Sequence, residues 1–219
     1  VPYQNSNGNF YDTSNDSQPW LSGWANPYAS MLFNNMNEGN NQKLLGNVFA
    51  ELNFTNNLKF RTSLGLDYYA SESHNYQPIY QLSIYSFRDR DRVNQAQSKG
   101  FSLLWDNLLT YNFTIAEDHE FEALVGTSSY KFQGTYISGS NVDLIFNDLE
   151  HSWLDNAVNS DGTQITLGGG PNNINKRMSY FGRLNYNYKD KYLLNTTFRA
   201  DGSSNFDEQN RWGYFPSIS

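Results

Sequence analysis

The sequence of 219 residues contains no cysteine, which excludes a disulfide framework and a thiolate metal site. It also has no run of roughly 18 to 20 apolar residues, the length that a membrane-crossing helix needs. Any crossing of a membrane would therefore use strands. Charged residues are scarce at 17%, and the net charge of −7 argues against a nucleic-acid partner, because the phosphate backbone attracts basic proteins.

Aromatic side chains are abundant, since 16 Tyr, 15 Phe and 5 Trp together make up 16% of the chain. The mean hydropathy is nevertheless low, at −0.70, because Asn, Ser, Gly and Gln fill much of the remainder. An ordinary soluble core would combine so many rings with more Leu, Ile and Val. A transmembrane β-barrel does not need them, because only alternate residues of each strand face lipid and aromatic residues gather at the membrane interfaces.

Apolar and polar residues alternate with a period of two along three long segments, which predicts amphipathic β-strands. The segments form hairpins at residues 44–68, 101–132 and 177–201, and a seventh strand starts near Trp212. Each predicted strand has about 10 to 13 residues, close to the roughly 9 to 11 that cross a bilayer at a tilt. The alternation therefore favours a membrane barrel.

The predicted connections between strands differ sharply in length. Short turns are predicted near Asn56, Asp118 and Asp190, whereas long polar loops are predicted at 71–100, at 133–176 and in the opening segment. Outer-membrane barrels combine short periplasmic turns with long extracellular loops. The sequence thus predicts an all-β, antiparallel transmembrane β-barrel segment of about six full strands plus the start of a seventh, with that pattern of loops and turns.

The first hairpin has a predicted register, because its lipid-facing residues are even-numbered on both strands. A three-residue turn sets Phe54 opposite Leu58 and keeps a lysine off the lipid face. We expect Asn57 to adopt the left-handed conformation that such turns use. The same register sets Glu51 across from Arg61, an opposite-charge pair that stabilises the hairpin less than burial of its apolar face.

Residues suited to catalysis or metal binding are few. His74, His119 and His151 lie far apart without the spacing of metal ligands, and we interpret them as solvated loop or turn residues. The segment Asp155 to Gly162 fails the EF-hand spacing and offers at most an adventitious cation site. No two carboxylates are spaced so that strands would pair them as acid and base. The sequence predicts no catalytic, metal or cofactor site, and we do not expect an enzyme.

Three loop tryptophans, Trp20, Trp24 and Trp153, are the candidate substrate-binding residues. Flat aromatic rings suit sugar faces and peptide side chains, because such ligands offer apolar C–H surface. Packing of these rings within the loops is the favoured interpretation, and ligand contact is the alternative to it.

The last part of the chain contains three recognisable segments: Ser179–Leu194 (SYFGRLNYNYKDKYLL), Phe198–Phe206 (FRADGSSNF) and Arg211–Ser217 (RWGYFPS). Together they resemble the SusC/RagA group of TonB-dependent outer-membrane transporters. The resemblance implies a barrel in the lipid of the bacterial outer membrane that imports glycans or peptides, energised through TonB and paired with a SusD-like surface lipoprotein. It also implies that residues 1–219 are part of a single barrel domain, with the plug domain and the signal peptide outside them.

Two other functions fit parts of the pattern. A passive porin or a barrel-shaped adhesin would share the strands and lack energy coupling. A soluble sugar-binding β-sandwich module would also have amphipathic strands, although such strands usually run nearer about 5 or 6 residues. An upstream plug domain would separate the importer from the porin, and a detergent requirement for extraction would exclude the soluble module.

Overall fold

The computed structural model describes residues 26–82 and 85–219. Within them, one α-helix, α1 (Pro27–Asn34), precedes the strands, and the Asn26 side chain caps it by accepting hydrogen bonds from two backbone N–H groups. The strands are β1 (Asn37–Asn53), β2 (Leu58–Gln77), β3 (Tyr80–Gln81), β4 (Phe87–Arg88), β5 (Arg92–Ile115), β6 (His119–Val142), β7 (Thr166–Pro171), β8 (Asn175–Tyr188), β9 (Tyr192–Ser203) and β10 (Trp212–Ile218). None of the helices in this described part has the length and apolar character needed to span a membrane.

Antiparallel pairing joins most strands into one sheet with the order β1-β2-β5-β6-β8-β9-β10, and β7 pairs with β6. The short strands β3 and β4 form a separate two-stranded hairpin. Each long strand therefore lies beside the next long strand of the chain, as in an up-and-down barrel. The expected all-β, antiparallel barrel segment is confirmed.

The registers of the later strands keep apolar residues opposite apolar residues. Between β6 and β8, Phe121 faces Tyr186 and Ala123 faces Leu184. Between β8 and β9, Tyr186 faces Leu194. Because the side chains of facing residues lie on the same side of a sheet, these strands share one apolar face. The alternation predicted from the sequence is confirmed there.

One polar group interrupts the apolar face. Asn107 accepts a hydrogen bond from the Thr62 hydroxyl at 2.8 Å and donates one to the Thr127 hydroxyl at 3.4 Å. The indole N–H of Trp105 donates to the same Thr62 oxygen at 3.0 Å. These neighbours satisfy one another's hydrogen-bonding groups, which lowers the cost of placing polar groups among apolar side chains.

Two of the three short turns, at residues 116–117 and 189–190, use left-handed backbone. Lys189 and Asp190 have φ values of 52° and 54°, and the N–H of Lys191 donates to the carbonyl of Tyr188 at 3.0 Å. Two successive positive φ angles match the twist of an antiparallel hairpin. The predicted turn at residues 189–191 is therefore confirmed.

The chain divides into two compact units, and each is described by itself. The wall unit comprises residues 42–69, 99–135 and 171–219, and the loop unit comprises the described residues up to Asn41 together with 70–98 and 136–170. The loop unit contains the larger set of buried apolar residues, which are Ala29, Tyr76, Leu82, Val93 and Val142.

The long loops are shorter than the sequence predicted, because the strands extend into them. The strands β2, β5 and β6 have 20, 24 and 24 residues, and β1 begins at Asn37 within the segment expected to be a loop. Backbone pairing continues there without an apolar face, because polar side chains bond across the strands. Gln97 donates to Glu72 at 2.9 Å, and Asn94 donates to Asn75 at 3.1 Å.

The first turn has the predicted register and a different conformation. The N–H of Phe54 donates to the carbonyl of Leu58 at 2.9 Å, which confirms that these residues face each other. Asn57 does not have a positive φ, so the predicted left-handed residue is wrong. The Thr55 hydroxyl instead accepts from the N–H groups of Asn57 and Leu58, at 3.2 and 3.0 Å, and this bonding shapes the turn.

The charge pairing in the first hairpin also differs from the prediction. Glu51 contacts Lys59 at 3.4 Å, and the Arg61 guanidinium lies over the Phe49 ring, 4.5 Å from its centroid. Both contacts are diagonal across the two strands, because long side chains reach a neighbour two residues along as easily as the one opposite.

Candidate ligand-binding groove

The loop unit contains a cavity of about 830 Å³, here named the loop groove, between residues of five strands (β1, β2, β5, β6 and β7) and the segment around Trp153. Its lining residues are Glu38, Gly39, Asn40, Glu72, Ser73, His74, Gln95, Ala96, Gln97, Ile137, Ser138, Gly139, Trp153, Leu154 and Leu167. They combine amide and carboxylate groups with an aromatic ring, as ligand sites for small polar molecules do.

Trp153 is held at the groove by three contacts. Its ring stacks on the imidazole of His74, with centroids 4.1 Å apart and planes 19° from parallel. Its indole N–H donates to the carbonyl of Glu150 at 2.8 Å. The next residue, Leu154, begins a 3₁₀ turn, and its N–H donates to the Gln95 side chain at 3.0 Å. The ring is nevertheless 43% exposed.

His74 lies beneath this tryptophan, and its predicted solvation is wrong. The residue is only 7% exposed, and its Nε2 lies 2.7 Å from the carbonyl oxygen of Ser152. Its Nδ1 is buried without a hydrogen-bond partner among the described residues. Burial follows from strand position, because His74 belongs to the part of β2 that the sequence assigned to a loop.

Of the other two histidines, one is solvated as predicted and the other is not. His151 is exposed and pairs with Asp148 at 2.9 Å, as expected of a solvated residue. Bonds from His151, first from its backbone N–H, hold the pKa of the Asp148 carboxyl below its usual range. His119 is half-buried at the start of β6, and its Nδ1 lies 2.7 Å from the hydroxyl of Tyr186, so its predicted solvation is wrong.

The loop groove carries negative charge. Glu38 and Glu72 line it, and Glu72 accepts from the Gln97 amide at 2.9 Å. No lysine or arginine occurs among its lining residues in the part of the chain that the structure describes. The groove therefore presents hydrogen-bond acceptors and amides beside an aromatic surface.

The side chain of Arg90 lies beside the acidic segment Asp155 to Gly162. The Arg90 guanidinium donates to Asp161 at 3.1 Å, to Thr163 at 2.7 Å and to Asn159 at 3.2 Å, and it forms a two-bond ion pair with Asp143. The pKa of Asp161 is lowered to about 2, first by the N–H and hydroxyl of Thr163 and then by Arg90. The hydrogen bonds from Arg90 also lower the pKa of Asp143.

This arrangement neutralises the acidic segment with a side chain of the chain itself. Within residues 26–82 and 85–219, no group of three or more His, Cys, Asp or Glu side chains is arranged to hold a metal ion. We name Arg90 and its four partners the Arg90 cluster.

The wall unit has a second cavity, of about 620 Å³, on its polar face. Glu122 accepts from Arg183 at 3.1 Å and from Asn185 at 2.9 Å, and Glu120 accepts from Asn187 at 3.0 Å. The alternation in the sequence predicts that all of these side chains lie on the polar face of the sheet. The structure joins them into a ladder across β6 and β8.

Two TonB-dependent receptors are similar in sequence to this chain. The chain is 32% identical over 198 residues, 90% of its length, to the TonB-dependent receptor P26 of Formosa agariphila. It is 27% identical over 217 residues, 98% of its length, to the TonB-dependent receptor SusC of Bacteroides thetaiotaomicron. This chain is a SusC/RagA-like segment of a TonB-dependent receptor.

This SusC/RagA-like segment spans about one fifth of the length of the curated relatives it matches, 19% of P26 and 20% of SusC. Its fold matches the structure of the RagAB peptide transporter with a TM-score of 0.73, at 20% identity, over 97% of this chain and 23% of that one. The RagAB peptide importer in its closed-closed state gives a TM-score of 0.75, also at 20% identity, over 97% and 23%. No protein-family model matches the chain.

The candidate residues of this SusC/RagA-like segment have different outcomes. Trp153 lines the loop groove, whereas Trp20 and Trp24 lie outside the described residues. The sequence reasoning missed His74 and Gln97. Each lies two residues from another groove residue on its strand, so following the period of two past the apolar segments would have found them.

Proposed function

We propose that this chain forms part of the wall and loops of a TonB-dependent importer in the bacterial outer membrane. The observation that carries the proposal is the wall unit, whose apolar side chains are exposed along one face of the sheet. Val48 is 68% exposed, and Tyr214 is 65% exposed. Apolar surface costs roughly 25 cal/mol per Å² in water, whereas hydrocarbon solvates it without that cost. A lipid bilayer suits such a face.

The opposite face of the wall unit supports a water-filled interior. Its ladder of Glu120, Glu122, Arg183 and Asn185 offers charged and amide groups that water solvates. Transmembrane barrels combine an outward apolar band with a polar lumen. The two faces of this sheet have that combination.

The substrate and the partners are proposed from the relatives. Two of the similar structures are those of a RagAB peptide transporter and a RagAB peptide importer, and the relative SusC is a TonB-dependent receptor. We infer import of glycans or peptides, a SusD-like surface lipoprotein as partner, and energy supplied by TonB through a segment outside residues 1–219. Within that protein these residues belong to one barrel domain surrounded by outer-membrane lipid.

Uptake by cells tests the proposal. Cells with and without the complete gene would be given fluorescent oligosaccharides and peptides, and the same uptake would be measured after deletion of TonB. We expect uptake that requires both the gene and TonB. Uptake that needs the gene and persists without TonB would favour the passive porin, and a protein extracted without detergent would contradict the membrane location.

A further inference from the structure

We infer that Lys131 and Lys176 bind the phosphate group of an outer-leaflet lipid, at the extracellular end of the apolar face of the wall unit. The inference rests on the outer-membrane location in the proposed function and adds a specific lipid partner to it. Lipid binding by the purified protein and uptake by cells are separate measurements, so the two proposals fail separately.

The two lysines face each other across neighbouring strands. Lys131 of β6 and Lys176 of β8 are directly paired in the antiparallel register, and both residues are exposed. Directly opposed side chains lie on the same face of a sheet, and like charges in that position destabilise it. No ion pair within residues 26–82 and 85–219 includes either lysine. The fold therefore places two positive charges side by side without a carboxylate to balance them.

The lysine pair lies on the apolar face of the wall unit. Pairs at every second position of two antiparallel strands share one face. Between β6 and β8, starting from the short turns, the pairs on this face are Phe121–Tyr186, Ala123–Leu184, Val125–Gly182, Thr127–Tyr180, Ser129–Met178 and Lys131–Lys176. The lysines therefore end the row of side chains that the proposed function places against lipid.

The length of this row matches the thickness of the membrane. Ten residues separate Phe121 from Lys131 along β6. At about 3.3 Å per residue and a strand tilt of about 40°, they span about 25 Å along the membrane normal, the height of the apolar band of an outer-membrane barrel.

Stacked rings mark the other end of the row. The ring centroid of Phe121 lies 4.9 Å from that of Phe113 and 4.8 Å from that of Tyr186, and such aromatic groups gather at membrane interfaces. These rings lie on the side of the short turns, which face the periplasm in the proposed orientation. The lysine pair therefore lies at the opposite interface, level with the headgroups of the outer leaflet.

The chemistry of a phosphate group fits this pair. The outer leaflet of a bacterial outer membrane contains lipid A, a glycolipid whose sugar headgroup carries phosphate. A phosphate monoester has a charge of about −1.5 to −2 and three acceptor oxygens, so a single group can accept hydrogen bonds from both ammonium groups. Such an anion offsets the repulsion between Lys131 and Lys176, which a headgroup without net charge would leave in place.

A neighbouring cavity suits the sugar that bears the phosphate. This cavity of about 510 Å³ is lined by Gln133 and Thr135, which follow Lys131 on the same face of β6. Lys99 adds a third ammonium group to the lining, and Phe101 adds apolar surface. Hydroxyl and amide groups of a sugar headgroup can bond to the glutamine and the threonine.

An acidic protein segment is the competing occupant, because carboxylates also pair with lysines. The position of the pair favours the lipid. Met178 and Tyr180 are the next two residues of β8 on the same face, so a group bound between the lysines lies directly beside surface that the proposed function places in hydrocarbon. A lipid supplies the phosphate and the acyl chains together.

Native mass spectrometry of the complete protein in detergent tests the inference. The probes are monophosphorylated lipid A, the same lipid without its phosphate, phosphatidylethanolamine and inorganic phosphate. We expect the phosphorylated lipid A to bind about tenfold or more tightly than its dephosphorylated form, because basic side chains at a membrane surface attract anionic headgroups. The double variant Lys131→Gln with Lys176→Gln should lose that preference. Lys131→Arg with Lys176→Arg should keep it, since guanidinium groups also bind phosphate.

A matched double variant removes the same charge at the other end of the strands. Lys59 and Lys191 lie beside the short turns. Lys59→Gln with Lys191→Gln should change the preference by less than about twofold, because salt screens charges beyond about 8 Å at physiological ionic strength. Each variant is checked for an intact barrel by its heat-dependent migration on gels.

Thermal unfolding separates lipid binding from a structural role of the lysines. Without lipid, the variant with Gln at positions 131 and 176 should unfold at the same temperature as the unsubstituted protein or at a higher one, because it lacks the repulsion between like charges. Phosphorylated lipid A should raise the unfolding temperature of the unsubstituted protein and not that of the variant, since a ligand stabilises the state that it binds.

Four outcomes would overturn the inference: no binding of phosphorylated lipid A, which would leave an acidic protein segment as the occupant; equal binding of the two forms of lipid A; a preference that the glutamine variant keeps; or a lower unfolding temperature of that variant without lipid. Saturation by inorganic phosphate at the concentration that the lipid needs would assign the pair to free phosphate and also overturn it. Uptake that requires TonB alongside any of these results would leave the proposed function in place. Phosphate-dependent lipid binding together with uptake independent of TonB would do the reverse.

Discussion

The wall unit and the loop unit differ in how many of their apolar side chains they bury. Among the described residues, the fully buried side chains Tyr76, Val93 and Val142 all belong to the loop unit, which shields its own core. The wall unit leaves residues such as Val48 exposed. The loop unit thus has a small apolar core of its own, although residues such as Leu167 stay exposed, whereas the wall unit exposes most of its apolar side chains.

The polar contacts differ in the same way. In the wall unit they join neighbouring strands, as Glu122 does with Arg183. In the loop unit such contacts also reach the irregular segments between strands, as His74 does with Ser152 and Arg90 with Asp161.

The largest expected effect is the accessibility of the two units on intact cells. A tag at Ser160 in the loop unit should be labelled by antibody, and a tag at Asp118 or Asp190 in the short turns should not, because long connections of outer-membrane barrels face outward. Asn94 is unsuitable for a tag, because it lies within β5, which an insertion would disrupt. Labelling of the turns and not of Ser160 would reverse this orientation.

The next effect concerns the apolar face of the wall unit. Leu64 lies on the even-numbered face of β2 and is 45% exposed, so Leu64→Arg should cost roughly 2 to 4 kcal/mol if it lies near the bilayer midplane. Ser63→Arg is the matched control, since its side chain points to the polar face. Assembly of the complete protein would be followed by its heat-dependent gel migration. Equal damage by both variants would refute the facing.

Substitution within the Arg90 cluster tests whether its hydrogen bonds and ion pair stabilise the loop unit. Arg90→Ala removes the donor shared by Asp143, Asp161 and Thr163, so protease cleavage within residues 143–163 should accelerate strongly while the wall unit stays intact. Arg92→Ala is the control, because Arg92 has one bond there, to Gln164. Similar cleavage of the two variants would show that the cluster is dispensable.

Acid should loosen the same region. The lowered pKa of Asp161, about 2, means that its ionised form stabilises the fold above its ordinary pKa, and that this stabilisation disappears as the pH falls through about 2. Pepsin cleavage within residues 143–163 should therefore rise between about pH 4 and pH 2. Asp161→Asn should be cleaved faster at the higher pH and depend less on acid. An unchanged pH profile in that variant would contradict the assignment.

The smallest effect concerns a single pair in the wall unit. Glu51 and Lys59 lie 3.4 Å apart and are partly exposed, so a double-mutant cycle should give a coupling of about 0.2 to 1 kcal/mol. The same cycle between Glu51 and Arg61 should give less, because Arg61 lies over Phe49. A larger coupling between Glu51 and Arg61 would support the pairing predicted from the sequence and contradict the diagonal contact with Lys59.

The sequence predicted the wall unit well because its order is local. A period of two follows from strand geometry, so the residues sharing a face could be assigned from their parity. The hairpin register at Phe54 and Leu58 followed in the same way. The left-handed Asn57 did not, because the Thr55 hydroxyl offered the turn a different set of hydrogen bonds.

The loop unit was decided by tertiary structure. The extension of β2 past the apolar segment, the burial of His74 and the stacking of Trp153 on it depend on contacts between residues far apart in the chain. The Arg90 cluster likewise brings an arginine from another strand connection to the acidic segment at Asn159 and Asp161. Such contacts follow no period in the sequence, because they form only when folding brings residues far apart in the chain together. The sequence by itself therefore determined the two faces of the wall, and only the folded chain determined the groove.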